Sequence, residues 1–277
     1  MKKNKFSHAL CTGVLSSLLM LGLMLFAACD NGDGDNDNGP TVETPSISDV
    51  PAFDGPAVEN SADAVSFLSE IRSANLSIYT QAYMLISSKM TYEEAEDGNS
   101  GKSTWDFTNQ KTSDNTMQVT SKGKSEYKEV GDGKTVGDKE EGSRNTDTSA
   151  TVIADIPSGD VTVKTGSKFA EKSESSQKLT VTAVTDGRPS EYNGNVSQQE
   201  AYSFGLSVTA DGKGGKIIFS ATKSQSFSGT ASASTEITPS ISGSLKVYGT
   251  GDAEVYSQTI DNEDKLDDAL ALIGYGH

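Results

Sequence analysis

Covalent chemistry needs a nucleophile with a base, or a set of metal ligands, and this chain offers few of either. Its two cysteines, Cys11 and Cys29, both fall within the first 29 residues. Of its two histidines, His8 shares that stretch and His277 is the last residue. Ser-His-Asp or Cys-His catalysis and a histidine-based zinc site therefore have no imidazole in the body of the chain. The spacing Ser-x-x-Lys recurs at Ser121–Lys124, Ser175–Lys178 and Ser220–Lys223. The companion motifs of serine acyltransferases are missing, so the recurrence reads as chance in a chain rich in both residues. Gly101-Lys102-Ser103 copies the end of a P-loop, but the earlier glycine would fall at position 96, which is Glu96. A calcium loop counted from Asp33 would need glycine sixth and glutamate twelfth, where Asn38 and Thr44 stand. Glu93, Glu94, Glu96 and Asp97 cluster, but glycoside hydrolysis needs two carboxylates facing across a cleft, one with a raised pKa. A run of exposed acids reads as a solvated linker instead. No catalytic residue, metal site or cofactor is expected.

Cys29 is the exception, because of what precedes it. Lys2, Lys3 and Lys5 form a basic start, Ala9 to Phe26 is an apolar stretch, and Ala27-Ala28 supplies the small residues a signal peptidase requires. Thr12, Ser16 and Ser17 interrupt the stretch, which argues against an uncleaved membrane span. The segment Leu25-Phe26-Ala27-Ala28-Cys29 resembles the lipobox of bacterial lipoproteins, in the permissive form of spirochaetes, with Phe26 where leucine is usual. The resemblance implies cleavage after Ala28, a diacylglycerol thioether on Cys29, and a cell-envelope location on the periplasmic leaflet or outer-membrane surface.

Charge sets the next limits. Removing residues 1–28 takes away three lysines and no acid, leaving 20 basic against 39 acidic residues, a formal charge of −19. Such a chain is repelled by nucleic acid and by anionic headgroups, so no nucleic-acid partner is expected and only lipid on Cys29 would hold it at a membrane. Residues 30–60 carry eight acids, no base, and Pro40, Pro45, Pro51 and Pro56. That composition predicts a disordered, self-repelling tether over 29–60.

The elements beyond it follow from periodicity. Ala64, Leu68, Ile71, Ile78, Ala82 and Leu85 recur at helical steps, with Val65, Leu76, Tyr79, Tyr83, Ile86 and Met90 beside them. This predicts one long helix over 61–90, capped by Asn60 or Ser61, with a face for a core or for a partner. From Gly101 to Ile260 the pattern has period two, clearest where Tyr202, Phe204, Leu206 and Val208 alternate with small polar residues. Trp105 and Phe107 show a shorter version; with Tyr202, Phe204 and Leu206 they form the candidate ligand or core face. Gly131-Asp132-Gly133, Asp186-Gly187 and Asp211-Gly212 mark turns. The segment 120–149 is almost wholly polar and reads as solvated hairpins or as a loop.

The expected fold is mainly β (α+β), one domain over 61–277. A broad antiparallel meander sheet or half-barrel of ten to twelve strands carries the long helix across its apolar face. A short helix over 262–273, ended by Gly274, closes the chain. A helix followed by such a meander resembles the half-open barrel of periplasmic lipoprotein carriers, and Val130-Gly131-Asp132-Gly133-Lys134-Thr135 is similar to a turn among them. Two functions stand: a non-enzymatic binding or structural module of the envelope, or a lipid or lipoprotein carrier with an apolar cavity between helix and sheet. A carboxylate-dependent hydrolase is a distant third.

Overall fold

The computed structural model describes residues 40–87, 91–94, 100–111, 117–131 and 133–275; the leader, Ala28 and Cys29 lie outside them. The described residues form one open, antiparallel sheet: β1 (Thr91–Glu94), β2 (Ser100–Lys111), β3 (Met117–Val130), β4 (Lys139–Val152), β5 (Ile156–Ser158), β6 (Val161–Val163), β7 (Lys168–Thr185), β8 (Arg188–Ala210), β9 (Lys213–Ser232), β10 (Ser240–Tyr248) and β11 (Glu254–Ile260). Strand order follows chain order, β1-β2-β3-β4-β7-β8-β9-β10-β11. The small hairpin β5–β6 is set aside from this path and pairs β6 with the end of β8. Asp-Gly turns make the meander possible. Asp186 and Gly187, and again Asp211 and Gly212, all have positive φ, the two-residue geometry whose twist matches paired strands. The polar segment 120–149 is the long β3–β4 hairpin, in register from Met117↔Val152 to Val130↔Lys139.

Where one helix over 61–90 is expected, residues 61–87 form two, and 88–90 lie outside the described residues. The first, α1 (Ser61–Ser73), stops where Ala74 N–H closes on the Glu70 carbonyl and Asn75 turns left-handed at φ 48°. Asparagine is among the few residues that accept that conformation. The second, α2 (Ile78–Ser87), restarts one turn later, with Gln81 N–H bonded to the Ser77 carbonyl. Leu76, in the connection, is buried, which is why apolar periodicity runs unbroken through a break in the backbone. Near the C-terminus, α3 (Glu263–Leu270) is capped by Asn262 and passes through a 3-10 turn to Gly274 at φ 76°.

One face of the sheet packs under these helices. Strand register lines up Val119, Ala150, Phe169, Phe204, Phe219 and Leu245 across six strands, with Phe204 and Phe219 rings stacked at 4.6 Å. Ala64, Phe67, Leu68 and Ile71 of α1, Ile78 and Ala82 of α2, and Leu266 and Leu270 of α3 join them in one buried cluster. At ~1.5–3 kcal/mol for each large side chain withdrawn from water, this cluster is the main source of stability.

The opposite face is covered by residues 40–58, which were expected to be tether. They form a strap across β8 and β9. Ser203 Oγ donates to the Glu43 carbonyl at 2.9 Å and Lys216 Nζ to the Ile47 carbonyl at 3.2 Å. Val58 N–H bonds the Gly214 carbonyl, and Gly214 N–H the Pro56 carbonyl. Small residues on β8 let the strap approach: a β-carbon on Gly205 would lie 2.7 Å from Val50. The acid-and-proline composition that suggested disorder hides Val50 and Val58, both buried. With helices on one side and the strap on the other, residues 201–208 of β8 are buried continuously.

Past this sandwich the sheet continues alone among the described residues. At ~3.3 Å per residue, the 23 residues of β8 extend about 75 Å, and roughly half lies beyond the core. Register places Lys122, Asp147 and Lys172 side by side, and likewise Lys128, Glu141 and Lys178. Opposite charges on neighbouring strands contribute ~0.2–1 kcal/mol a pair and keep an uncovered face soluble. A second, small buried patch, Leu179, Val181 and Ala231, caps the far end. The β3–β4 turn clamps it through Gly137 N–H to the Val181 carbonyl and Val181 N–H to the Asp138 carbonyl.

Candidate functional site

The transition from core to bare sheet concentrates the ionisable groups. On the helix-facing side, each row of paired residues is more polar than the last. The row holding Phe204 is apolar; the next is Ser121, Thr148, Glu171, Tyr202 and Ala221; the one after is Gly123, Thr146, Ser173, Glu200 and Lys223. Strand alternation forces this placement. Glu171 follows Phe169 by two residues and Glu200 precedes Tyr202 by two, so both carboxylates point to the helix side.

Two pieces of chain close over them. From α2, Tyr79 hydrogen-bonds Glu171 and packs edge-on to Phe169 at 5.7 Å between ring centroids. From the C-terminal turn, Tyr275 lies 4.3 Å from the Tyr79 ring and 5.4 Å from the Tyr202 ring. The Tyr202 hydroxyl donates to Glu200 Oε2 at 3.0 Å and lies 2.9 Å from the Tyr275 hydroxyl. With its single proton given to Glu200, Tyr202 accepts from Tyr275. Gln198 Nε2 donates to Glu200 Oε1 at 2.7 Å, and Gln225 Nε2 to Gln198 Oε1 at 2.7 Å. Both Glu200 oxygens are therefore satisfied as a carboxylate.

Glu171 is placed differently. Burial takes it largely out of water, the Glu200 charge stands on the adjacent strand, and its pKa is pushed up to about 7. The Arg144 charge and the Tyr79 hydrogen bond pull the other way and are outweighed. Burial likewise raises Tyr79, Tyr202 and Tyr275, with the Glu171 charge adding to each, so all three remain neutral phenols. Chemically, Glu171 is a carboxyl able to exchange a proton near neutrality, beside a second carboxyl, Glu200, held by hydrogen bonds from Tyr202 and Gln198. The Tyr79 and Tyr275 rings pack against each other beside this pair, 4.3 Å between centroids.

The five aromatic and aliphatic candidates, Trp105, Phe107, Tyr202, Phe204 and Leu206, share this same face and are all buried. Trp105 lies flat on Gly123, donates Nε1–H to Ser121 Oγ at 3.1 Å, and has the Arg144 guanidinium 6.0 Å from its ring. It is a wall of the core. The Ser-x-x-Lys pairs fall within strands, where residues three apart point to opposite faces, so no serine meets its lysine. Gly101-Lys102-Ser103 lies in β2. Glu93 and Glu94 fall in β1, while Glu96, Asp97 and the Asp33–Asp37 run lie outside the described residues. Sequence reasoning passed over Glu171 and Glu200; their signal was a charge at an inward position of an alternating strand, next to Phe169 in one case and Tyr202 in the other.

Comparison with known protein families, curated proteins and solved structures returns no match to this chain.

Proposed function

We propose that this protein is a lipid-anchored module of the bacterial cell envelope that works by presenting its sheet to a partner, without catalysis. The observation that carries the reading is how the sheet is used. Under the helices it is filled by interlocked side chains, Phe67, Phe204, Leu206 and Phe219 among them, and beyond them it extends as a polar layer. A carrier would need an apolar cavity in the space those residues occupy. A binding or structural module needs a rigid, soluble surface, which a cross-strand ladder of alternating charge supplies.

The anchor in this proposal is Cys29, cleaved after Ala28 and acylated. Among the described residues no helix is long and apolar enough to cross a membrane. Because the strap is pinned at Glu43, chain length alone limits the distance from Cys29 to that point to ~46–50 Å at full extension. The sheet is thereby held near the bilayer surface. Cys29→Ser tests this: the protein should leave the membrane fraction for the soluble fraction with its fold unchanged. Retention of the variant in the membranes would defeat the proposal.

A further inference from the structure

Most helix-to-sheet contacts in this fold are apolar and indifferent to pH. At Glu171 the two layers meet instead through hydroxyls and carboxyls, and two covering pieces far apart in the chain, at Tyr79 and Tyr275, rest on the same spot. We propose that Glu171 is a proton-operated latch, holding α2 and the C-terminal turn on the sheet while neutral and loosening them once ionised.

The surroundings of Glu171 give the mechanism. On β8, Tyr202 stands directly opposite and Glu200 diagonal to it. On β4, Thr148 stands opposite and Arg144 lies on the same face, over Trp105. Tyr79 comes from α2 and Tyr275 from the C-terminal turn, where the Asp267 charge on α3 also acts. Glu200 already holds one negative charge, fixed by Tyr202 and Gln198. A second charge at Glu171 finds one hydroxyl donor and one guanidinium, set against burial and a like charge on the next strand. Lifting α2 and Tyr275 readmits water to that charge, so ionisation and opening favour each other. Protonation favours the closed form in the same way. The midpoint near pH 7 puts both states within reach of ordinary environmental acidity.

Hydrogen–deuterium exchange on the full-length protein in detergent tests the latch. After correction for intrinsic exchange, amide protection in 78–87 and 271–275 should fall roughly tenfold between pH 6 and pH 8. Protection in 204–208 of β8 should stay constant. In Glu171→Gln the fall should vanish, while Glu200→Gln, which removes the like charge, should move it to lower pH. A carbon NMR titration of the unmutated protein gives an independent reading, with the Glu171 carboxyl changing near pH 7. The latch is refuted if protection in the two segments follows the same pH profile with and without Glu171, or if that carboxyl titrates near 4.5.

Discussion

Trp105 and Gly123 depend on each other. The indole lies where a β-carbon on Gly123 would be, so Gly123→Val must expel it and break its bond to Ser121. Because Trp105 is the single tryptophan, its fluorescence reports the site cleanly. A red-shifted emission and a loss of roughly 2–4 kcal/mol in denaturant stability are expected; unchanged emission would mean the ring does not lie on Gly123. Glu171 gives the protein a pH dependence of definite sign. Its folded-state pKa is about 7 against 4.5 for the free group, so the folded state binds more protons between those values. Stability should be greatest below about pH 4.5 as far as this group is concerned, decline as pH rises, and level off above 7. The shift corresponds to a difference on the order of 3 kcal/mol, an upper figure for a side chain with some exposure. Denaturation midpoints measured from pH 5 to 8.5 should decline less in Glu171→Gln than in the unmodified chain. At this scale the aromatic face was readable, because Tyr202, Phe204 and Leu206 alternate with serine and glycine. The carboxylates were not: parity points a glutamate inward, but what closes over it comes from residues 79 and 275, more than ninety positions away from Glu171 in either case.

At the scale of elements, local signals with their own chemistry carried through. The Asp-Gly turns at 186–187 and 211–212 require positive φ and have it. The cap of α1 is another: Asn60 Oδ1 accepts from Ala62 N–H at 3.0 Å and Asp63 N–H at 3.1 Å. Asp63 in turn pairs with Lys213 at 2.7 Å, tying the helix start to the β8–β9 turn. Asn60→Ala should cost about 1 kcal/mol by thermal or chemical unfolding, and Asn60→Ser much less; equal losses would mean the side-chain bonds carry nothing. What misled was continuity of pattern. Apolar spacing passes through Leu76 without a gap, so 61–90 reads as one helix, yet Asn75 and Ser77 together carry a stop and a fresh start. The strap misled in the reverse direction, since the eight acids and four prolines of residues 30–60 outweigh its two buried valines, Val50 and Val58, in any composition. Its order comes from tertiary contacts with Ser203, Gly205 and Lys216, none of which is near it in sequence.

The whole molecule joins a sandwich, helices on one face and strap on the other, to a bare polar sheet. Strand number, antiparallel order and the closing helix follow from period-two patterning and turn spacing. The division between covered and uncovered sheet does not, because β7, β8 and β9 run through both regions without interruption. Polar strands such as 122–130 and 139–147 are what a sheet needs when it has water on both sides, and the same composition would suit a loop. That architecture favours a displayed surface, and in the reading proposed above a lipid on Cys29 would decide where it is displayed. The most direct test of the account is mass spectrometry of the mature amino end, taken from the membrane fraction. Cleavage after Ala28, with diacylglycerol on the Cys29 sulfur, is the predicted result. An intact leader, or a mature chain whose Cys29 carries no lipid, would contradict it.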